Sequence, residues 1–192
     1  MRALALLLLA GCAGGNINSE PVPQAQWTAG PDQCGRDYRE NCSAGTVISG
    51  NVIAFPTGTE AHYITRAGSL KGKSAMHLSF HSDGPLRGAG CSSTSMVSLY
   101  FASADNDWRS DGLRWWSGAT FVDHAGDYTI DASLDGPWSS VMIQTSAANT
   151  VDFAAAKDRA NRVGFTFGNC TGLGHGAAGP GRITVTAFEV VP

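Results

Sequence analysis

Three of the chain's five tryptophans and two of its arginines fall within nine residues, Trp108-Arg109-Ser110-Asp111-Gly112-Leu113-Arg114-Trp115-Trp116. Aromatic rings stack on the apolar face of a pyranose and a guanidinium bonds its hydroxyls, so this segment carries the chemistry of glycan recognition. If Leu113 to Ser117 is a strand, successive side chains alternate between faces. Leu113 and Trp115 then enter the core, and Arg114 and Trp116 share the other face as a binding platform with Trp108 and Arg109 at its rim. The same pattern also fits a two-sided position in which Trp116 is buried under a helix or a long loop.

Hydrolytic and metal chemistry find less to work with. His77 and His81 stand four residues apart, but Met76, Leu78 and Phe80 alternate with His77, Ser79 and His81 in the manner of a strand. At about 3.3 Å per residue, rings at that spacing start roughly 13 Å apart, too far to share one ion. Asp127 and Asp131 are separated in the same way, whereas a glycosidase needs carboxylates about 5 to 9.5 Å apart. The glutamates are Glu20, Glu40, Glu60 and Glu189, and they form no Glu-x-Asp-x-x-Glu run. A G-x-S-x-G elbow, an H-E-x-x-H helix and a phosphate loop are also missing from the sequence. His62, His124 and His175 have no ligand spacing. Asp105, Asp107 and Asp111 offer oxygen ligands in one loop, which makes a structural calcium the sole cofactor to consider, though without EF-hand spacing.

These side chains need a scaffold, and composition points to a β-protein. The chain has 192 residues, 43% of them hydrophobic and 15% charged, with a formal charge of −3. That size suits one domain, and the charge fits neither a disordered chain nor a nucleic-acid binder. Beyond the first residues the sequence is rich in Gly, Ser, Thr, Val and aromatics, the residues of strands and turns. Tyr128, Ile130, Ala132 and Leu134 alternate with Asp127, Thr129, Asp131 and Ser133; Val97, Leu99 and Phe101 repeat the rule, as do Val163, Phe165 and Phe167. Further strands are expected at Val47 to Ala54, His62 to Arg66, Leu113 to Ser117, Trp138 to Thr145 and Arg182 to Val191. In the last, the apolar parity shifts between Val185 and Phe188, which predicts a bulge or a strand covered on both faces. One helix is expected at about 150–160, capped by Asn149 or Thr150, with Asp152 in its first turn and Lys157 and Arg159 near its end. Val151, Ala155 and Phe153 are its expected docking residues.

The beginning of the chain reads as a leader. Arg2 precedes the apolar run Ala3 to Ala10, and Leu9-Ala10-Gly11-Cys12 resembles a bacterial lipobox. The resemblance implies that residues 1–11 are a lipoprotein signal peptide and that Cys12 becomes the lipid-bearing N-terminus. Loss of Arg2 takes the charge from −3 to −4, too mild an acidity to imply a polycationic partner. Ala13, not Asp, follows Cys12, so the expected location is the outer membrane. Residues 12–33 hold three prolines and read as a tether, leaving 34–192 as the domain. In an exported protein the remaining cysteines, Cys34, Cys42, Cys91 and Cys170, are expected to form two disulfides. Three pairings exist; proximity favours Cys34 with Cys42, which leaves Cys91 with Cys170. No C-x-x-C pair supports zinc.

The run from Gly126 to Val191, with its strand, the Trp138 strand, the helix, NRVGFTFG, GHG and GRITVTAFEV, resembles the C-terminal half of secreted bacterial jelly rolls of the carbohydrate-binding-module and galactose-binding type. The resemblance implies a jelly-roll β-sandwich of about 8–9 antiparallel strands with one short helix. The expected function is that of a lipid-anchored, non-catalytic binding domain for a glycan or a cell-envelope polysaccharide. A polysaccharide hydrolase or lyase using dispersed residues such as Asp131, His77 and Arg114 is the first alternative. A structural lipoprotein with a protein partner is the second.

Overall fold

The computed structural model describes residues 27–30, 45–106, 111–140 and 145–192. In chain order the first strands are β1 (Thr28–Ala29), β2 (Val47–Ser49), β3 (Val52–Phe55), β4 (Glu60–Ala61), β5 (Tyr63–Ala67), β6 (Ala75–Ser82) and β7 (Arg87–Gly88). They are followed by β8 (Met96–Ser103), β9 (Arg114–Phe121), β10 (Gly126–Ser133), β11 (Ser139–Ser140), α1 (Thr150–Asp158), β12 (Ala160–Gly168), β13 (Ala177–Ala178) and β14 (Gly181–Val191). One sheet has the order β10-β6-β14-β3-β2, the second β1-β5-β12-β8-β9-β11, and a small third β4-β13-β7. All named pairings are antiparallel. The protein is an all-β sandwich, and its eight main strands, β3, β5, β6, β8, β9, β10, β12 and β14, cross between the two large sheets in the connectivity of a jelly roll.

Alternation builds the core. Met76, Leu78 and Phe80 of β6 and Ile183, Val185 and Phe188 of β14 face Val97, Leu99 and Phe101 of β8 and Val163, Phe165 and Phe167 of β12 within one buried cluster. Each such side chain contributes about 1.5 to 3 kcal/mol when fully removed from water. The parity shift in β14 is a bulge between Val185 and Ala187, so Ile183, Val185 and Phe188 all point inward. The single strand expected over 47–54 is instead the hairpin β2 and β3, turned at Gly50 with φ 60. Of the strand expected over Trp138 to Thr145, residues 138–140 and 145 are described; Ser139–Ser140 is strand, and Ser139 bridges Thr145.

The helix starts and stops close to its expected ends, with the Asn149 side chain accepting from the Asp152 N–H. It docks through Phe153 and Ala156, whereas Val151 is 77% exposed. At about 100° per residue Val151 lies roughly 140° around the axis from Ala156, off the docking stripe. Trp27 differs from its tether reading too: it is 7% exposed and packs edge-on to Phe165 at 5.4 Å and Phe188 at 5.2 Å, while β1 pairs with β5. The packed domain therefore reaches back beyond residue 34. A single large indole supplies enough apolar area to tie a two-residue strand to the sheet edge.

Candidate functional site

The face on which Arg114 and Trp116 meet is built by register. Across β8 and β9, Tyr100 stands opposite Trp116 and Ala102 opposite Arg114. Across β12, Ser98 pairs with Thr166 and Tyr100 with Gly164, and Thr166 in turn pairs with Tyr63 of β5. Arg114, Trp116, Ser98, Tyr100, Thr166 and Tyr63 thus share one side of the second sheet. Trp115 points the other way into the core, fully buried against Phe153 at 4.9 Å with its indole N–H donating to the Gly112 carbonyl at 3.0 Å. A register shift between Ser98 and Tyr100 frees the Leu99 N–H, which donates to the Ser117 hydroxyl at 2.9 Å.

This face is not open. Arg114 and Trp116 are each 5% exposed, and Tyr63, Tyr100, Ala102 and Trp116 form a second buried cluster with Leu173 packed on it. The expected surface platform is corrected accordingly: the two residues are together on the non-core face, but they are covered. The rings of Tyr63 and Tyr100 meet at 5.2 Å, those of Tyr100 and Trp116 at 5.4 Å. Burial pushes the Tyr63 hydroxyl up to about 12, against the opposing pull of Arg114, which also hydrogen-bonds it. Burial raises Tyr100 as well, reinforced by Tyr63 and opposed by Arg114 and Arg162. Both phenols therefore stay neutral at physiological pH, as donors and acceptors. The Tyr100 hydroxyl, the Trp116 indole N–H, the Ser98 hydroxyl and the Thr166 hydroxyl are buried there without a hydrogen-bond partner. Each such group costs about 1 to 3 kcal/mol while unpaired.

A glycine-rich loop after β12 lies over the cluster. Gly174 has φ 76, and a Cβ there would fall 2.5 Å from the Tyr63 hydroxyl and 3.5 Å from the Trp116 indole nitrogen, so the position accepts only glycine. The loop is fastened at three points. The Asn169 amide donates to the carbonyls of Ala89 at 2.6 Å and His175 at 2.9 Å, and its oxygen accepts from the Thr171 N–H at 2.8 Å. Buried His62 places Nδ1 3.1 Å from the Gly174 carbonyl and Nε2 3.0 Å from Glu60 Oε2. Cys91 and Cys170 are both thiols here, with the Cys170 N–H donating to Cys91 Sγ at 3.3 Å. Hydrogen bonds from the Cys170 thiol and then from Ser93 hold Cys91 down to about 7, while Cys170 is raised by the same pairing.

Other expected site residues fall elsewhere. Cys12, Cys34, Cys42, Asp107, Trp108 and Arg109 lie outside the described residues, as does the side chain of Asp111. Asp105 is engaged, accepting from the Ser103 hydroxyl and pairing with Arg159 Nη1 at 3.0 Å. Among the described residues no group of three His, Cys, Asp or Glu converges on a metal position.

The opposite sheet presents a polar face that sequence reasoning only half resolved. His77 and His81 do point the same way on β6, and each has its own carboxylate: His77 Nδ1 lies 2.6 Å from Asp131 Oδ1 and His81 Nδ1 2.7 Å from Asp127 Oδ1. Antiparallel pairing of β6 with β10 sets both contacts, since His77 faces Asp131 and His81 faces Asp127. The spacing was in the sequence, because a His-x-x-x-His strand and an Asp-x-x-x-Asp strand place both pairs opposite one another in the register that β6 and β10 adopt. Tyr63, Tyr100, Ser98 and Thr166 were not legible, because only the sheet order brings them beside Trp116.

Comparisons with protein-family models, with curated proteins and with solved structures found no match to this chain.

Proposed function

We propose that the protein is a glycan-binding module of the bacterial envelope, anchored through lipid on Cys12, and that its ligand site is the aromatic and arginine face of the second sheet. The observation that carries this reading is the set of four unpaired polar groups, on Ser98, Tyr100, Trp116 and Thr166, gathered on one buried face beside Arg114. Sugar hydroxyls are both donors and acceptors, so a bound saccharide relieves the cost of these groups while its apolar ring face rests on Tyr100 or Trp116. Leu173 and Gly174 must move aside for it, and the glycines at 172, 174 and 176, all with positive φ, give that segment its backbone freedom.

The test is a glycan-array and insoluble-polysaccharide screen on the full-length chain, with and without calcium, repeated with Trp116→Phe. Phenylalanine keeps an aromatic ring in the cluster and removes the indole donor, whereas Trp116→Ala would leave a cavity and confuse binding with folding. The expected result is a saccharide hit whose affinity falls about tenfold in Trp116→Phe, the worth of one hydrogen bond, with a melting temperature that does not fall. A hit that Trp116→Phe leaves untouched moves the site elsewhere. A folded protein that retains no saccharide contradicts the reading.

A further inference from the structure

We propose that Ser79, His77 and Asp131, on the exposed face of the first sheet, form an acyl-transfer site in which Ser79 Oγ attacks small carboxylic esters. The site lies on the sheet opposite the glycan face and stands independently of that reading.

The hydrogen bonds fix the protonation pattern. A carboxylate can only accept, so the 2.6 Å contact with Asp131 Oδ1 places the proton of neutral His77 on Nδ1. That leaves Nε2 with a lone pair, and Ser79 Oγ lies 2.9 Å from it and donates. Ser79 has one proton, so in its contact with Thr129 Oγ1 at 3.1 Å the threonine is the donor. A nucleophile, a base in the correct tautomer, a carboxylate that orients the base, and a hydroxyl donor beside the point of attack are thus in one line. All four stand on strands β6 and β10, whose backbones are locked by eight paired positions.

The neighbours define the substrate. His77 is 28% exposed and Asp131 73%, so the line can be reached from solvent. Glu189 stands directly across from His77 on β14, on the side of β6 away from Asp131. Ala187 stands across from Ser79 and Thr184 across from His81, which offer no apolar floor for a long acyl chain. The fitting substrate is therefore a short acyl ester, such as an acetyl group carried on an exposed hydroxyl.

As Ser79 Oγ bonds to the ester carbonyl carbon, its proton passes to His77 Nε2, and the Thr129 hydroxyl turns toward the charge that develops on the carbonyl oxygen. The carbon–oxygen bond to the alcohol breaks, and the alcohol leaves with the proton from Nε2. Water then gives a proton to Nε2 and a hydroxyl to the acyl carbon. The carboxylic acid departs and Ser79 recovers its proton.

The experiment uses the full-length chain with p-nitrophenyl acetate and, separately, a fluorophosphonate probe read by peptide mass spectrometry. The expected result is turnover that drops roughly 100-fold in Ser79→Ala and in His77→Gln, and about tenfold or more in Asp131→Asn, with unchanged melting temperatures. The probe is expected on Ser79. Turnover that survives Ser79→Ala, or a folded protein with no turnover and no adduct at Ser79, overturns the proposal.

Discussion

Tyr63 and Tyr100 show how strongly the aromatic cluster is held from water. A phenol raised from 10.0 to about 12 in the folded state keeps its proton where the unfolded chain loses it. The stability this represents is complete below pH 10 and is lost as pH rises through about 12. For Tyr63 it amounts to roughly 3 kcal/mol. Denaturation midpoints are therefore expected to fall steeply between pH 10 and 12, and to fall less steeply in Tyr63→Phe. At the other end of the covering loop the cysteine pair makes a second residue-scale prediction. With Cys91 near 7, its alkylation by iodoacetamide should climb through neutral pH and level off about a unit above, while Cys170, raised by its partner, reacts more slowly. Equal rates across pH 6 to 9 would show that the two thiols do not interact.

Among the elements, β12 is the strand on which both faces of the second sheet depend. Gly164 lies in it, and a Cβ at that position would sit 2.1 Å from the Ile64 carbonyl oxygen and 2.8 Å from Thr65 Cα, both backbone atoms of β5. Neither can retreat without breaking the β5 pairing, so Gly164→Ala is expected to cost roughly 3 kcal/mol or more, measured by urea unfolding. A loss under about 1 kcal/mol would mean that β5 yields.

Strand-by-strand legibility followed the wetness of each face. In β6 and β10 one face is core and the other exposed, so Met76, Leu78 and Phe80 or Tyr128, Ile130 and Ala132 declare themselves by period two alone. The β14 bulge was readable for the same reason, from the parity change between Val185 and Phe188. In β8 and β12 both faces are covered, and there alternation locates the strand without saying that Tyr100 or Thr166 is buried. The two-residue strands β4, β7 and β13 have too few residues for any period and are set by tertiary pairing. For the site, sequence placed Arg114 and Trp116 on one face, but the cover over Trp116 comes from Leu173 and Gly174, more than fifty residues away.

At the level of the molecule, one sandwich carries two faces of different chemistry. The first sheet offers open imidazole, hydroxyl and carboxylate groups; the second holds rings under a loop and a buried guanidinium beside them. The cysteine pair joins the β7–β8 connection to the start of that loop. Oxidation to a disulfide would close a loop of about 80 residues and raise stability by up to roughly 4.5 kcal/mol, an upper value because strain subtracts from it. A higher urea midpoint in oxidised than in reduced protein, absent in Cys91→Ser, is the expected outcome. The central claim is that the covered aromatic face binds saccharide. It is tested most directly by comparing the affinity of the full-length chain with that of Trp116→Phe for the strongest saccharide found on the array. The account predicts a loss of about tenfold with no fall in melting temperature; equal affinity in the two proteins would contradict it.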